Sequence, residues 1–226
     1  MRYPIVLFDL DGTLTNPGLG ITNSVMYSLK KYRIEGQPRE SLYCFIGPPL
    51  HESYEKFYSF SREQAMQAVS YYREYYEEKG MFENEVYPGI KQLLRDLIKQ
   101  GVLCLVATSK PEIYAKKILD YYELSNYFYY IAGANMDGTR TDKAEVIAYA
   151  LKQIPAEYSN KKVLMVGDRS HDIIGAKKNG IDCAGVLFGY GSREELEEAG
   201  ADFIADSVEA VRNIVFLNVN LFYYMI

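Results

Sequence analysis

This chain has few cysteines, no excess of basic charge and no membrane-like segment. Its three cysteines, Cys44, Cys104 and Cys183, stand far apart with no Cys-x-x-Cys pair, so neither a disulfide framework nor a zinc site is indicated. No signal peptide precedes Tyr3-Pro4, and a reducing cytoplasm is the expected setting. The apolar tail, residues 213–226, carries three asparagines and is too short and too polar to span a bilayer, so no membrane partner is expected. It is expected to pack as a final strand or helix, with a dimer contact as the sharper alternative; monomer and homodimer both stay open. A formal net charge of −5 lacks the basic footprint that a nucleic acid polymer requires. No internal repeat or low-complexity tract is present.

What remains is ordinary globular chemistry: 226 residues, 48% hydrophobic and 24% charged, enough for one domain or a domain with an insertion. A chain of this size buries roughly 70% of its unfolded surface and needs no covalent staples. Four continuous apolar runs, at residues 5–8, 102–107, 163–166 and 183–187, read as buried strands of a parallel sheet covered on both faces. Helical patterns alternate with them at 111–122, 143–152 and 173–179, the last closed by Gly180. The alternation predicts an α/β fold, an open three-layer sandwich with a mainly parallel, Rossmann-like sheet. Residues 16–86 break it, with amphipathic segments at 21–32, 50–58 and 62–79 and no clear strand. They are read as an all-helical cap inserted into a core of residues 1–15 and 87–226. The tyrosines of Val69-Ser70-Tyr71-Tyr72-Arg73-Glu74-Tyr75-Tyr76 are assigned to helix packing in that insert.

Chemistry concentrates at four stations. Asp9-Leu10-Asp11-Gly12-Thr13-Leu14 directly follows the first strand, and ligands of open α/β sheets bind at the carboxyl ends of strands. Two acids in i, i+2 relation can divide their labour, one ionised to attack or bind a metal and the other supplying a proton. An isolated Asp-Gly would be only a turn. Thr108-Ser109 follows the second strand, where hydroxyls and backbone N–H groups can hold phosphate oxygens or simply cap a helix. Lys143 lies in Thr141-Asp142-Lys143-Ala144-Glu145, whose Asp142 and Glu145 have capping-box spacing. A cation in the first helical turn opposes the helix dipole, which points to an anionic partner. In Gly167-Asp168-Arg169-Ser170-His171-Asp172 two acids stand four apart across a strand-to-helix turn, and hard oxygen donors of that kind suit Mg²⁺. A metal cation and placed lysines would offset the repulsion between an acidic protein and a phosphate dianion. Arg169 and His171, beside Asp168 and Asp172, are read as surface loop residues, and no nucleophile–base arrangement needs His51. Gly189-Tyr190-Gly191 lacks the remaining glycine of a dinucleotide fingerprint, so no NAD site is expected.

In that order, over nearly the whole chain, the four stations resemble motifs one to four of the haloacid dehalogenase-like superfamily. The resemblance implies Asp9 as nucleophile, Asp11 as general acid and base, Thr108 as phosphate binder beside Ser109, and Lys143 as charge stabiliser. It implies Mg²⁺ held by Asp168 and Asp172 with Asp9, Asp11 being the remaining acid of the metal set. The second acid, Asp11, disfavours the dehalogenase and phosphonate-cleaving branches. The insert looks like a C1-type cap, and Gly189 to Leu196 with Gly200-Ala201-Asp202 is similar to phosphoglycolate phosphatases. Residues 137–143 and the Phe45-Ile46-Gly47-Pro48-Pro49-Leu50 loop look closer to a bacterial 5′-nucleotidase-like branch, with Gly47 as a substrate-contacting candidate or a plain turn. The expectation is a Mg²⁺-dependent phosphatase acting on a small phosphorylated metabolite through an aspartyl-phosphate. The alternatives are a phosphosugar mutase of the same superfamily and a non-enzymatic phospho-acceptor signalling module.

Overall fold

The structure is a computed structural model that describes residues 1–216. These separate into two compact units, one of residues 1–14 and from 86 onward, the other of residues 15–85.

The first unit is built on a six-stranded parallel sheet in the order β5-β4-β1-β6-β7-β8. Its strands are β1 (Ile5–Phe8), β4 (Leu103–Pro111), β5 (Tyr130–Ala134), β6 (Val163–Gly167), β7 (Asp182–Val186) and β8 (Phe203–Ala205). Helices α4 (Ile90–Lys99), α5 (Glu112–Tyr121), α6 (Lys143–Leu151), α7 (Ser170–Lys178), α8 (Arg193–Glu198) and α9 (Val208–Phe216) connect and cover them. Ile5 and Leu7 of β1 enter a core with Leu105, Met165, Val146, Ile147, Ile173 and Leu196. Val6 and Phe8, pointing the other way as strand geometry requires, are equally buried. Burial on both faces makes the central runs continuous rather than alternating, and gives three layers.

The sheet holds two strands more than the four expected. β5 and β8 are its edges. Each pairs on one side alone, and β5 is rich in small residues while β8 has three residues, so neither carries a long β-branched run. β4 runs to Pro111 because its pairing with β5 slips between Ala107 and Pro111, a bulge that extends the strand past its apolar stretch. α7 begins at Ser170, before its first apolar residue. Of the apolar tail, residues 213–216 end α9, where Val215 is buried; the expectation for residues 217–226 lies outside the described residues.

The second unit opens with β2 (Thr15–Asn16) and closes at β3 (Glu85–Val86), which pair with each other. These two short strands were not expected; two residues are too few for a hydrophobic pattern. Between them stand α1 (Gly18–Lys31), a 3-10 segment (Arg39–Phe45), α2 (Leu50–Tyr58) and α3 (Arg62–Tyr75). The helix expected over 62–79 changes character at Tyr76, where Met81 N–H reaches back to Tyr76 O and the turn widens. Ser61 caps α3 through Gln64 N–H, and Gln64 returns the bond to Ser61 N–H. Ser28 Oγ of α1 donates to Ala68 O of α3 at 2.8 Å. The aromatic residues form the interior: Tyr54 stacks on Phe60, Phe45 meets Tyr54 edge-on, and Tyr72 stacks on Tyr76. The tyrosine-rich segment is therefore packing, its rings filling the space between helices.

Leu105→Ala, in the centre of the sheet core, should lower unfolding free energy by about 2–5 kcal/mol. Ser61→Ala, which removes one cap, should cost only about 1 kcal/mol. Urea titrations followed by far-ultraviolet circular dichroism measure both, and the core assignment fails if their order is reversed.

Candidate active site

The register of the sheet brings three strand ends to one level. Phe8 pairs with Val106 on one side and Val166 on the other, so Asp9 emerges beside Ala107-Thr108 and Gly167-Asp168. Asp9 N–H still donates to Val166 O at 2.9 Å. The chain runs outward from β1 through β4 to β5, then returns to β6 on the other flank of β1, and this reversal is where such sheets open a crevice.

Asp9, Asp168 and Asp172 are all buried and bring carboxylate oxygens within 4.8 Å of one another. Lys143, the first residue of α6, sends its ammonium group back into them, 2.8 Å from Asp9 Oδ1 and 2.8 Å from Asp172 Oδ1, while donating to Ala107 O at 3.1 Å. The helix start that aims it is capped by Asp142, through Ala144 N–H rather than the N–H of Glu145 that the expected capping-box spacing suggested. Asp172 Oδ2 accepts from Arg169 N–H. Glu195 then pins the start of α7, its Oε1 accepting from Ser170 N–H, Ser170 Oγ and Arg169 Nε at 2.8 to 3.0 Å.

Asp168 sits in a cradle that only glycines allow. Gly12 has φ +86°, and a Cβ there would stand 2.1 Å from Asp168 Oδ2; one on Gly189 would meet Asp168 Cβ at 2.3 Å and Gly12 O at 2.4 Å. Tyr190 N–H donates to Asp168 Oδ2 at 2.8 Å. The other oxygen, Oδ1, is buried with no hydrogen-bond partner among the described residues. A buried carboxylate oxygen left bare in this way is costly unless a proton or a cation completes it. Three hard oxygen donors, one of them orphaned, fit a hard divalent cation such as Mg²⁺.

The electrostatics agree in direction. Burial, then the charges of Asp172 and Asp9, push Asp168 well above the usual carboxylate range. Burial pushes Asp172 up to about 6, and Lys143 offsets only part of that. For Lys143, burial would lower the ammonium's affinity for its proton, but Asp172 and Asp9 outweigh it and the net direction is upward. The lysine is therefore charged, and the acids are short of positive charge.

Thr108 is buried at the end of the apolar part of β4, with Ser109 half-buried behind it; Thr108 Oγ1 accepts from Lys110 N–H at 3.3 Å. Asp11 does not join the carboxylate cluster. Its Oδ2 is held by the ammonium of Lys110, an ion pair between two largely buried side chains, while burial keeps its carboxyl raised against the pull of that lysine. Sequence reasoning passed over Lys110, although it directly follows Thr108-Ser109. The role of Gly189-Tyr190 toward Asp168 was also missed, because main-chain N–H groups carry no residue-type signature. His171 is exposed on α7. Gly47, exposed with φ +107°, belongs to the helical unit between its 3-10 segment and α2.

The family model of haloacid dehalogenase-like hydrolases matches residues 6–186. A 5′-nucleotidase of Pseudomonas aeruginosa is 41% identical over 217 residues, 95% of this chain and 96% of that protein. A protein of Mycobacterium tuberculosis named tyrosine-protein kinase PtkA is 37% identical over 200 residues, 88% of this chain and 67% of that protein. Among solved structures, one described as a predicted phosphatase from Clostridium acetobutylicum superposes with a TM-score of 0.88 at 46% identity, covering 95% of this chain and 99% of that one. The chain belongs to the haloacid dehalogenase-like hydrolase family.

Because Asp172 and Asp168 are raised toward neutrality, a cation entering the cluster must displace protons at low pH. Below about pH 6 its affinity should fall by at least about tenfold per unit. Titration calorimetry with Mn²⁺ between pH 5 and 7.5 measures this, and an affinity unchanged across that range would remove the three acids as ligands.

Proposed function

We propose that this phosphatase hydrolyses small phosphomonoesters, of the 5′-nucleotide or phosphoglycolate kind, through a phosphorylated Asp9, with Mg²⁺ as cofactor. The observation that carries the reading is Lys143 lying 2.8 Å from both Asp9 and Asp172 at the strand ends. That lysine sets a positive charge beside Asp9, the residue assigned as nucleophile. The relative named 5′-nucleotidase supports the phosphomonoester class.

Hydrolysis of such esters requires on the order of 20 kcal/mol of transition-state stabilisation, so several groups must act together. Asp9, Asp168 and Asp172 would hold Mg²⁺, which when bound supplies positive charge to the phosphoryl oxygens. Asp9 attacks phosphorus as the bond to the leaving oxygen breaks, giving an aspartyl-phosphate and an alcohol. Lys143 balances charge between Asp9 and the incoming phosphoryl group, and Thr108 with Ser109 offers hydroxyl and N–H donors to its oxygens. Asp11 gives its proton to the leaving oxygen, then takes one from the water that cleaves the acyl-phosphate and frees inorganic phosphate. The helical unit is assigned selectivity, with the loop of Gly47 and Pro48 as its candidate determinant.

Excess EDTA should abolish phosphate release, and Mg²⁺ should restore it. Asp9→Asn should form no phosphoenzyme and have essentially no turnover. Asp11→Asn should lose about 10² to 10⁴-fold in rate, least with p-nitrophenyl phosphate and most with an alkyl phosphate whose alkoxide needs a proton. Equal losses on both esters would reduce Asp11 to a structural or metal-binding group. Stoichiometric phosphate release separates hydrolysis from a mutase, whose product keeps the phosphate.

Replacing Gly47 or Pro48 should change relative kcat/KM across nucleoside monophosphates, phosphoglycolate and sugar phosphates while leaving the Mg²⁺ requirement intact. Unchanged ratios over that panel would remove the loop from the specificity determinants.

A further inference from the structure

We propose that Lys110 is a positioning residue for Asp11, holding the second acid of the Asp-x-Asp pair apart from the cation-binding carboxylates. The inference rests on the acid–base assignment of Asp11 made above. Lys110 lies where the pairing of β4 with β5 slips, between Ala107 and Pro111, and its N–H turns back to Thr108 Oγ1. The irregular stretch sends the side chain inward to Asp11, and only 6% of it stays exposed.

The geometry gives the ion pair a specific consequence. Lys110 occupies Asp11 Oδ2, while Oδ1 is buried with no hydrogen-bond partner among the described residues. One oxygen is anchored and the other is left bare, as a group that must hand a proton to a substrate requires. Without Lys110, the other positive charge acting on Asp11 is Lys143, already placed between Asp9 and Asp172. The freed carboxylate would be drawn toward that ammonium and any bound cation, away from the leaving group. A lysine also reaches this role without competing for the cation, since it has only donors.

Turnover of p-nitrophenyl phosphate and of an alkyl phosphate, in saturating Mg²⁺, tests the proposal across Lys110→Met, Lys110→Arg, Asp11→Asn and the Lys110→Met/Asp11→Asn double variant. Lys110→Met should lose about 10- to 100-fold in kcat on the alkyl ester and clearly less on the aryl ester, and Lys110→Arg should recover most of the loss. In the Asp11→Asn background, Lys110→Met should cost nothing further, because its effect runs through Asp11. Losses that multiply in the double variant, or that are equal for the two esters, would overturn the proposal. If Asp11→Asn itself shows no leaving-group contrast, the acid–base assignment fails. If Asp11→Asn shows the contrast and Lys110→Met does not, the positioning role alone fails. The double variant removes both charges together and leaves no unpaired buried charge, so its circular dichroism and thermal midpoint report folding independently. Should Lys110→Met not fold, Lys110→Gln carries the same comparison.

Discussion

Mutual repulsion among buried carboxylates is the constraint around which the core unit is organised. Two unit charges 4 Å apart interact by about 4 kcal/mol at an effective dielectric constant of 20, and Asp9, Asp168 and Asp172 bring oxygens within 4.8 Å of one another. Lys143 answers part of that repulsion through two contacts. The rest falls to protons or a divalent cation, which is why burial drives Asp168 and Asp172 toward their neutral forms. A second lysine, Lys110, answers the fourth acid separately. The two ammonium groups divide the acids into a cluster and an outlier, and that partition underlies the different chemical duties assigned to Asp9 and Asp11.

The sheet serves this arrangement through register. Parallel pairing of β1 with β4 and β6 sets Asp9, Thr108 and Asp168 at one level, and the first turns of α6 and α7 return Lys143 and Asp172 to the same point. Because each residue leaves a different strand or helix, precision comes from the packed core beneath rather than from any single loop. The close contacts of Gly12 and Gly189 with Asp168 are part of that precision: a methyl group at either position would occupy the carboxylate's own volume.

Much of this was legible in residue order. Continuous runs such as Ile5 to Phe8 marked the central strands because both faces of the sheet are covered, and Asp9, Thr108, Lys143, Asp168 and Asp172 stood out because each follows or precedes such an element. The edge strands Tyr130–Ala134 and Phe203–Ala205 did not: an edge pairs on one side only, and short runs of small residues satisfy it. The family resemblance put Asp11 with the metal-binding acids, and spacing cannot say which way its side chain turns; that depends on Lys110, ninety-nine positions away in the chain. Tyr190 was invisible for a different reason, since its contribution is an N–H that every residue but proline possesses.

The cradle around Asp168 also bears on how the protein comes into being. Its parts arrive from Gly12, at the beginning of the chain, and from Gly189 and Tyr190, after five of the six core strands have been made. Contacts of such long sequence separation are entropically expensive to close and form late. During synthesis, Asp9 and Asp11 meet Lys143 and Lys110 earlier, but Asp168 waits for Gly189 and Tyr190 until the chain has passed residue 190. A cation held by Asp9, Asp168 and Asp172 could not template the early chain, because two of those three acids would not yet exist. It would act instead as a latch on the finished sheet, stabilising the complete fold by mass action and leaving fragments unaffected.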